Sequence, residues 1–218
     1  MSQRAARWQA YRSALGDLAQ TVERGRPTRP KPEPRTWSGK ELRYARRYTR
    51  MLGRSFERRT VSPEEWLVLH RLARGRILEV GVHVWLSSTA FLSAMEHDPK
   101  ITLLSCDIRF LDPGSRHPNP DIEQRWLRVE QSSHILLPSL LPPFDLVFID
   151  GNHKLAFAES DIRQALRLGR TVAVHDCNYE LGDLFLGIVQ EHPERPPIRW
   201  YSDTMPCLKG LMVSGPPV

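Results

Sequence analysis

Polar residues stand directly behind two short apolar runs in the second half of the chain: Asp150, Asn152 and His153 in "FDLVFIDGNH", and His175 and Asp176 in "TVAVHD". Two carboxylates and an imidazole suit a hard or borderline divalent cation such as Mg²⁺ or Mn²⁺, with Asp150, His175 and Asp176 as the candidate ligands. A cation held there lowers the pKa of a coordinated hydroxyl and keeps a position open for it. The same residues also suit proton transfer without metal. His175 and Asp176 can form an acid/base pair, and His153 can serve as a general base, because a neutral imidazole titrates near working pH. His153, His175 and Asp176 are the candidate catalytic residues, and both chemistries stay open.

Further upstream, Glu79 and Gly81 close the run "RILEV", and Asp107 closes "ITLLSCDI". An acid 26 residues beyond such a glycine is placed to accept hydrogen bonds from ribose hydroxyls. Ser87 and Ser88 bring hydroxyls to the start of the helical stretch that follows, where a polar ligand group is favoured.

What must position these groups is a succession of βαβ units. Apolar runs recur at 76–80, 101–108, 126–131, 144–150, 171–176, 198–202 and 210–214, and helical patterns fit between them at 86–96, 133–140, 155–168 and 182–191. This predicts an α/β domain over residues 75–218 with an open, mostly parallel sheet. In such a sheet ligands bind beyond the carboxyl ends of the strands, so acids at four strand ends meet at one rim. No long helix separates the last two runs, which predicts an antiparallel hairpin at the sheet edge. The polar stretch at 112–121 reads as a solvated insertion, with a cover over the substrate as the alternative. Tyr179 and "SDTMPC" at 202–207 also stand beyond strand ends.

Residues 1–74 read as a basic helical extension. Trp8, Tyr11, Leu15, Leu18 and Val22 make one face of a helix over 3–24, a proline-rich linker follows at 25–38, and a second helix fits 40–56. "SPEEW" starts a third, with Ser62 as N-cap, that runs to about Ala73. Residues 1–75 hold 18 Lys and Arg against 7 Asp and Glu, a balance of +11, while the remainder carries 13 against 18, or −5. A basic front of this kind docks on nucleic acid, anionic lipid or an acidic partner, or is simply a solvated face. Cys106, Cys177 and Cys207 form no C-x-x-C pair, so no disulfide framework or structural zinc site is expected. No apolar run approaches the ~20 residues that cross a bilayer, and "MSQRAARWQAYR" lacks the apolar core of a signal peptide. The expectation is a soluble, cytoplasmic protein without a membrane partner.

Together, "EVGVHVWLSST", "IDGNH" and "VHDC" resemble the class I S-adenosylmethionine-dependent methyltransferases, in particular members with E-x-G-x-x-x-G-x-S-T after the first strand, I-D-G-D-H after the fourth and H-D after the fifth. The resemblance covers roughly residues 70–214. It implies a seven-stranded, mostly parallel sheet with helices on both faces, its last strand antiparallel, and S-adenosylmethionine as cofactor. By position it assigns cofactor binding to Glu79, Gly81, Asp107 and the Ser132/Ser133 turn, and Ser87 and Asp150 complete the set. Some O-methyltransferases of this fold hold a divalent cation with an acid after strand four and a pair of residues after strand five, the positions of Asp150, His175 and Asp176. The implied reaction is methyl transfer to oxygen on a small acceptor, such as a hydroxylated natural product or sugar, and a homo-oligomer is compatible with it. The other readings are an RNA methyltransferase that uses the basic front and a degenerate fold that acts as a binding module. Two departures stand out. Trp85 occupies the second glycine position, so its indole has to swing outward or fill the space of the methionine moiety. "QSS" at 131–133 stands where many members have G-D-S, which removes an acidic adenine contact.

Overall fold

The computed structural model describes residues 37–56, 61–111, 116–177, 180–201 and 210–215. The helix expected at 3–24, most of the linker at 25–38, Tyr179 and the 202–207 segment lie outside the described residues.

Seven strands build one sheet: β1 (Arg76–Val80), β2 (Thr102–Asp107), β3 (Trp126–Glu130), β4 (Phe144–Ile149), β5 (Gly169–Val174), β6 (Ile198–Tyr201) and β7 (Leu211–Ser214). Their order is β3-β2-β1-β4-β5-β7-β6. β7 runs antiparallel to both β5 and β6, and the other pairs are parallel. The expected Rossmann-like architecture is therefore the observed one, with the last strand inserted between β5 and β6.

Strand side chains alternate between two apolar layers, as the period of two requires. Ile77, Leu146, Phe148 and Ala173 enter one layer, while Leu78, Val147, Ile149 and Val174 enter the other. Both faces are covered, which is why these strands read as nearly continuous apolar runs. The first layer is closed by α1 (Gly39–Met51), α2 (Pro63–Leu72), α3 (Leu86–His97) and the short α4 (Pro120–Gln124). The second is closed by α5 (Ser133–Ser139), α6 (Leu155–Leu168) and α7 (Glu180–Gln190).

The described part of the N-terminal segment shares this core. Ala45, Tyr48, Trp66 and Leu69 of α1 and α2 are buried in the same cluster as Ile77 and Phe148 of the sheet. Each of the two helices starts with a capping box, Ser38 with Glu41 and Ser62 with Glu65. In the described part of the polar stretch, 116–121, Asn119 caps α4 and His117 is buried.

The chain lays down β1, β2 and β3 outward and then returns to place β4 beside β1. That reversal opens a crevice at the carboxyl ends of β1 and β4, the place where open α/β sheets bind ligands.

Candidate active site

A cleft of about 930 Å³ lies at this reversal, lined among others by Gly81, Asp107, Ser132, Asp150, His153 and Asp176. Its floor depends on Gly81, which has φ +85°. A Cβ there would stand 2.1 Å from the Asp150 carbonyl oxygen and 2.6 Å from Gly151 Cα, so the loops after β1 and β4 touch through backbone. Gly81→Ala is expected to destabilise the protein by more than about 1 kcal/mol, because neither the contact nor the φ admits a side chain. Thermal unfolding of the variant checks this, and an unchanged melting temperature would contradict it.

Asp107 ends β2 and faces the cleft. Its Oδ2 accepts hydrogen bonds from the backbone N–H of Val82 (2.8 Å) and His83 (3.1 Å), and Oδ1 accepts one from Arg109 (3.2 Å). The carboxylate thus clamps the loop after β1, in which His83 adopts φ +47°. Ser132 and Ser133 form the N-terminal turn of α5 on the same cleft, and the Ser132 side chain makes no capping bond.

Glu79 sits elsewhere than the sequence suggests. It is fully buried behind the cleft wall and accepts hydrogen bonds from the hydroxyls of Ser87 (2.6 Å), Ser88 (2.7 Å) and Ser105 (2.7 Å). Burial pushes its carboxyl up to about 7, against the three hydroxyls, which pull it down. The Ser87 and Ser88 hydroxyls both donate to this acid, and Ser87 also lines the cleft. Glu79 therefore fastens the start of α3 to β1.

Neither expected fate of Trp85 is realised. It is 2% exposed and is the N-cap of α3 at φ +64°, but its indole turns into the core. There it stacks on Phe110 (centroids 4.7 Å apart) and meets Trp126 edge-on (4.8 Å). The backbone keeps the left-handed turn of a glycine while the side chain leaves the cleft open.

Beyond β4 and β5, Asp150, His153 and Asp176 converge. His153 Nε2 lies 3.4 Å from Asp150 Oδ1 and 3.4 Å from Asp176 Oδ2, and Asp176 holds φ +56°. One ligand atom from each of the three lies within 4.8 Å of the others. The hydrogen bond to Asp150 raises the His153 pKa above its ordinary value, helped by the nearby Asp176.

His175 is placed differently from the expected rim ligand. It is fully buried, with Nδ1 3.0 Å from Asp150 Oδ1 and Nε2 3.2 Å from Glu65 Oε2. Both ring nitrogens are engaged by carboxylates, so none faces the cleft, and His153 stands in its place in the cation-compatible cluster. Burial alone would lower the His175 pKa, but the Asp150 and Glu65 carboxylates outweigh it and raise it well above the ordinary value. Burial likewise opposes the ionised form of Asp150, yet the His175 and His153 rings keep its carboxyl well below the usual range.

The sequence reading overlooked Glu65, which "SPEEW" explained as part of a helix start alone. It also overlooked Ile108 and Phe157, exposed apolar residues on the cleft.

Residues 78–177 match a family model described as "Methyltransferase domain". Among solved structures, the chain is similar to the O-methyltransferase TomG from Streptomyces achromogenes, involved in tomaymycin synthesis and solved with S-adenosylmethionine. The identity is 20%, the coverage 82% of this chain and 90% of that one, and the TM-score 0.59. It is also similar to an O-methyltransferase from Bacillus cereus in complex with S-adenosylhomocysteine, at 13% identity, with 92% and 97% covered and a TM-score of 0.55. At these identities the likeness is one of fold. No curated protein sequence matches the chain.

Proposed function

We propose, from the methyltransferase-domain match over residues 78–177 and the order of the sheet, that the chain is an S-adenosylmethionine-dependent O-methyltransferase acting on a small hydroxylated molecule. The observation that carries this reading is one cleft with unlike groups on either side of β1: Asp107 beyond β2, and the Asp150/His153/Asp176 cluster beyond β4 and β5.

Asp107 is placed to accept the two ribose hydroxyls of a nucleoside, and Ile108 and Phe157 offer apolar surface to its purine. The Ser132/Ser133 turn supplies hydroxyls to the same ligand. S-adenosylmethionine, when bound, supplies a methyl group on a positively charged sulfur. The protein's contribution is then to hold an acceptor hydroxyl in line with that group and to receive its proton at His153 Nε2, with Asp150 and Asp176 orienting the ring. Asp150, His153 and Asp176 are also a donor set that fits Mg²⁺ or Mn²⁺, which would lower the pKa of an acceptor hydroxyl. That O-methyltransferases of this fold have been solved with S-adenosylmethionine or its product supports the cofactor assignment.

Calorimetric titration with S-adenosylmethionine tests the reading. The full chain is expected to bind it, and Asp107→Ala to weaken binding by at least ~1.5 kcal/mol, the scale of hydrogen bonds to a charged group. Asp107→Asn separates two contributions, since its amide oxygen still accepts from the Val82 and His83 N–H groups. Failure of the full chain to bind S-adenosylmethionine would refute the function, whereas undiminished affinity in a folded Asp107→Ala would refute only the ribose contact.

A further inference from the structure

Two capping boxes with the same chemistry stand in very different surroundings. In α1, Glu41 is only partly buried, with its side chain 36% exposed, accepts from the Ser38 N–H at 2.9 Å and pairs with Arg71 at the surface. In α2, Glu65 accepts from the Ser62 N–H at 2.8 Å, yet it is only 2% exposed. Capping requires no such burial, as Glu41 demonstrates, and taking a carboxylate out of water costs several kcal/mol unless it is paired. The buried partner is the His175 ring. Glu65 Oε2, the oxygen that takes the Ser62 N–H, faces Nε2 at 3.2 Å, and 110 positions separate the two residues in the chain.

The other ring nitrogen holds Asp150. A ring gripped at both nitrogens by carboxylates cannot rotate or flip without breaking a buried charged hydrogen bond. Asp150 Oδ1, the oxygen that His175 engages, is also the one that faces His153. Glu65 is not among the described residues that line the cleft, and its hydrogen bond to the His175 ring connects it to Asp150. We propose that Glu65 is a positioning residue of the reaction centre: through the buried His175 ring it fixes the Asp150 carboxylate that orients His153. Helix α2, which precedes the matched methyltransferase segment, thereby becomes part of the catalytic unit.

The catalytic part of this inference rests on the proposed methyltransferase reading, while the fixing of the ring does not. The test compares the full chain with Glu65→Gln and Ser62→Ala. Glutamine keeps a capping oxygen and the shape of the side chain but removes the charge, whereas Ser62→Ala damages the cap and leaves the Glu65–His175 pair intact. Three measurements are made: S-adenosylmethionine affinity by calorimetry, turnover with 3,4-dihydroxybenzoate and Mg²⁺ as acceptor probe, and the ¹⁵N-edited NMR signals of the His175 ring.

Glu65→Gln is expected to lower kcat about 10- to 100-fold, the usual effect of losing a group that orients a direct contact, with S-adenosylmethionine affinity within about twofold and a displaced Nε2–H signal. Ser62→Ala is expected to lower the melting temperature and leave kcat and the ring signals unchanged. Equal kcat losses in the two variants, or a His175 signal unmoved by Glu65→Gln, would overturn the proposal. A full chain that binds no S-adenosylmethionine would refute the functional reading instead, and the His175 signals would still decide whether Glu65 holds the ring.

Discussion

Trp85→Gly is expected to destabilise the protein by about 3–5 kcal/mol and to leave S-adenosylmethionine affinity unimproved. The indole is buried between Phe110 and Trp126, and its removal leaves a void in a close-packed aromatic cluster. Trp126 donates through Nε1 to Ser105, whose hydroxyl in turn donates to Glu79, so the void also loosens the acid that fastens α3 to β1. One gain opposes this loss: glycine adopts the φ of +64° without the ~1–2 kcal/mol that a left-handed conformation costs other residues. Trp85→Phe should be milder. Its ring keeps part of the stacking and removes an indole N–H that is buried without a hydrogen-bond partner. Chemical denaturation and calorimetry check both variants, and a stable Trp85→Gly protein with tighter cofactor binding would show that the indole does crowd the pocket.

The second large effect is expected at Asp176. Asn tolerates positive φ about as well as Asp, so Asp176→Asn should keep the backbone at φ +56° while removing one charge facing His153. Turnover should fall by about 10²–10⁴-fold, with S-adenosylmethionine binding unchanged. Chelation then separates the two chemistries of the cluster. If activity disappears with chelator and returns with Mg²⁺ or Mn²⁺, Asp150, His153 and Asp176 act as ligands. If chelator has no effect while Asp176→Asn and His153→Ala both abolish turnover, His153 acts as the base. If His153 is the base, its ring must be deprotonated. Because its pKa is raised, activity should be lost as pH falls through that raised value, and so at a higher pH than an ordinary histidine would give. Activity indifferent to chelator and to both substitutions would remove this cluster from the reaction.

The sheet was legible in the amino-acid sequence because its signals are local. Runs such as "RILEV" and "FDLVFI" are apolar on both faces, and strands buried on both sides must be so. The acids at their ends marked the rim for the same reason: Asp107, Asp150 and Asp176 follow directly where a strand emerges from the core. The start of α2 was equally readable from "SPEEW", since a capping box is closed within four residues.

Only the tertiary structure decided which polar groups face the cleft. Glu79 and His175 look like rim residues in one dimension, but a side chain at a strand end can point into either layer or behind the loop. Glu79 is taken by three serine hydroxyls and His175 by two carboxylates, one of them from a helix far away in sequence. Trp85 carries the same lesson. Its position in the motif set the left-handed backbone, whereas the room between Phe110 and Trp126, which come from separate parts of the chain, set where the indole went. Periodicity and caps report interactions between near neighbours in the chain; the partner of a buried charge or ring is chosen by packing, which brings together residues with no sequence relation to one another.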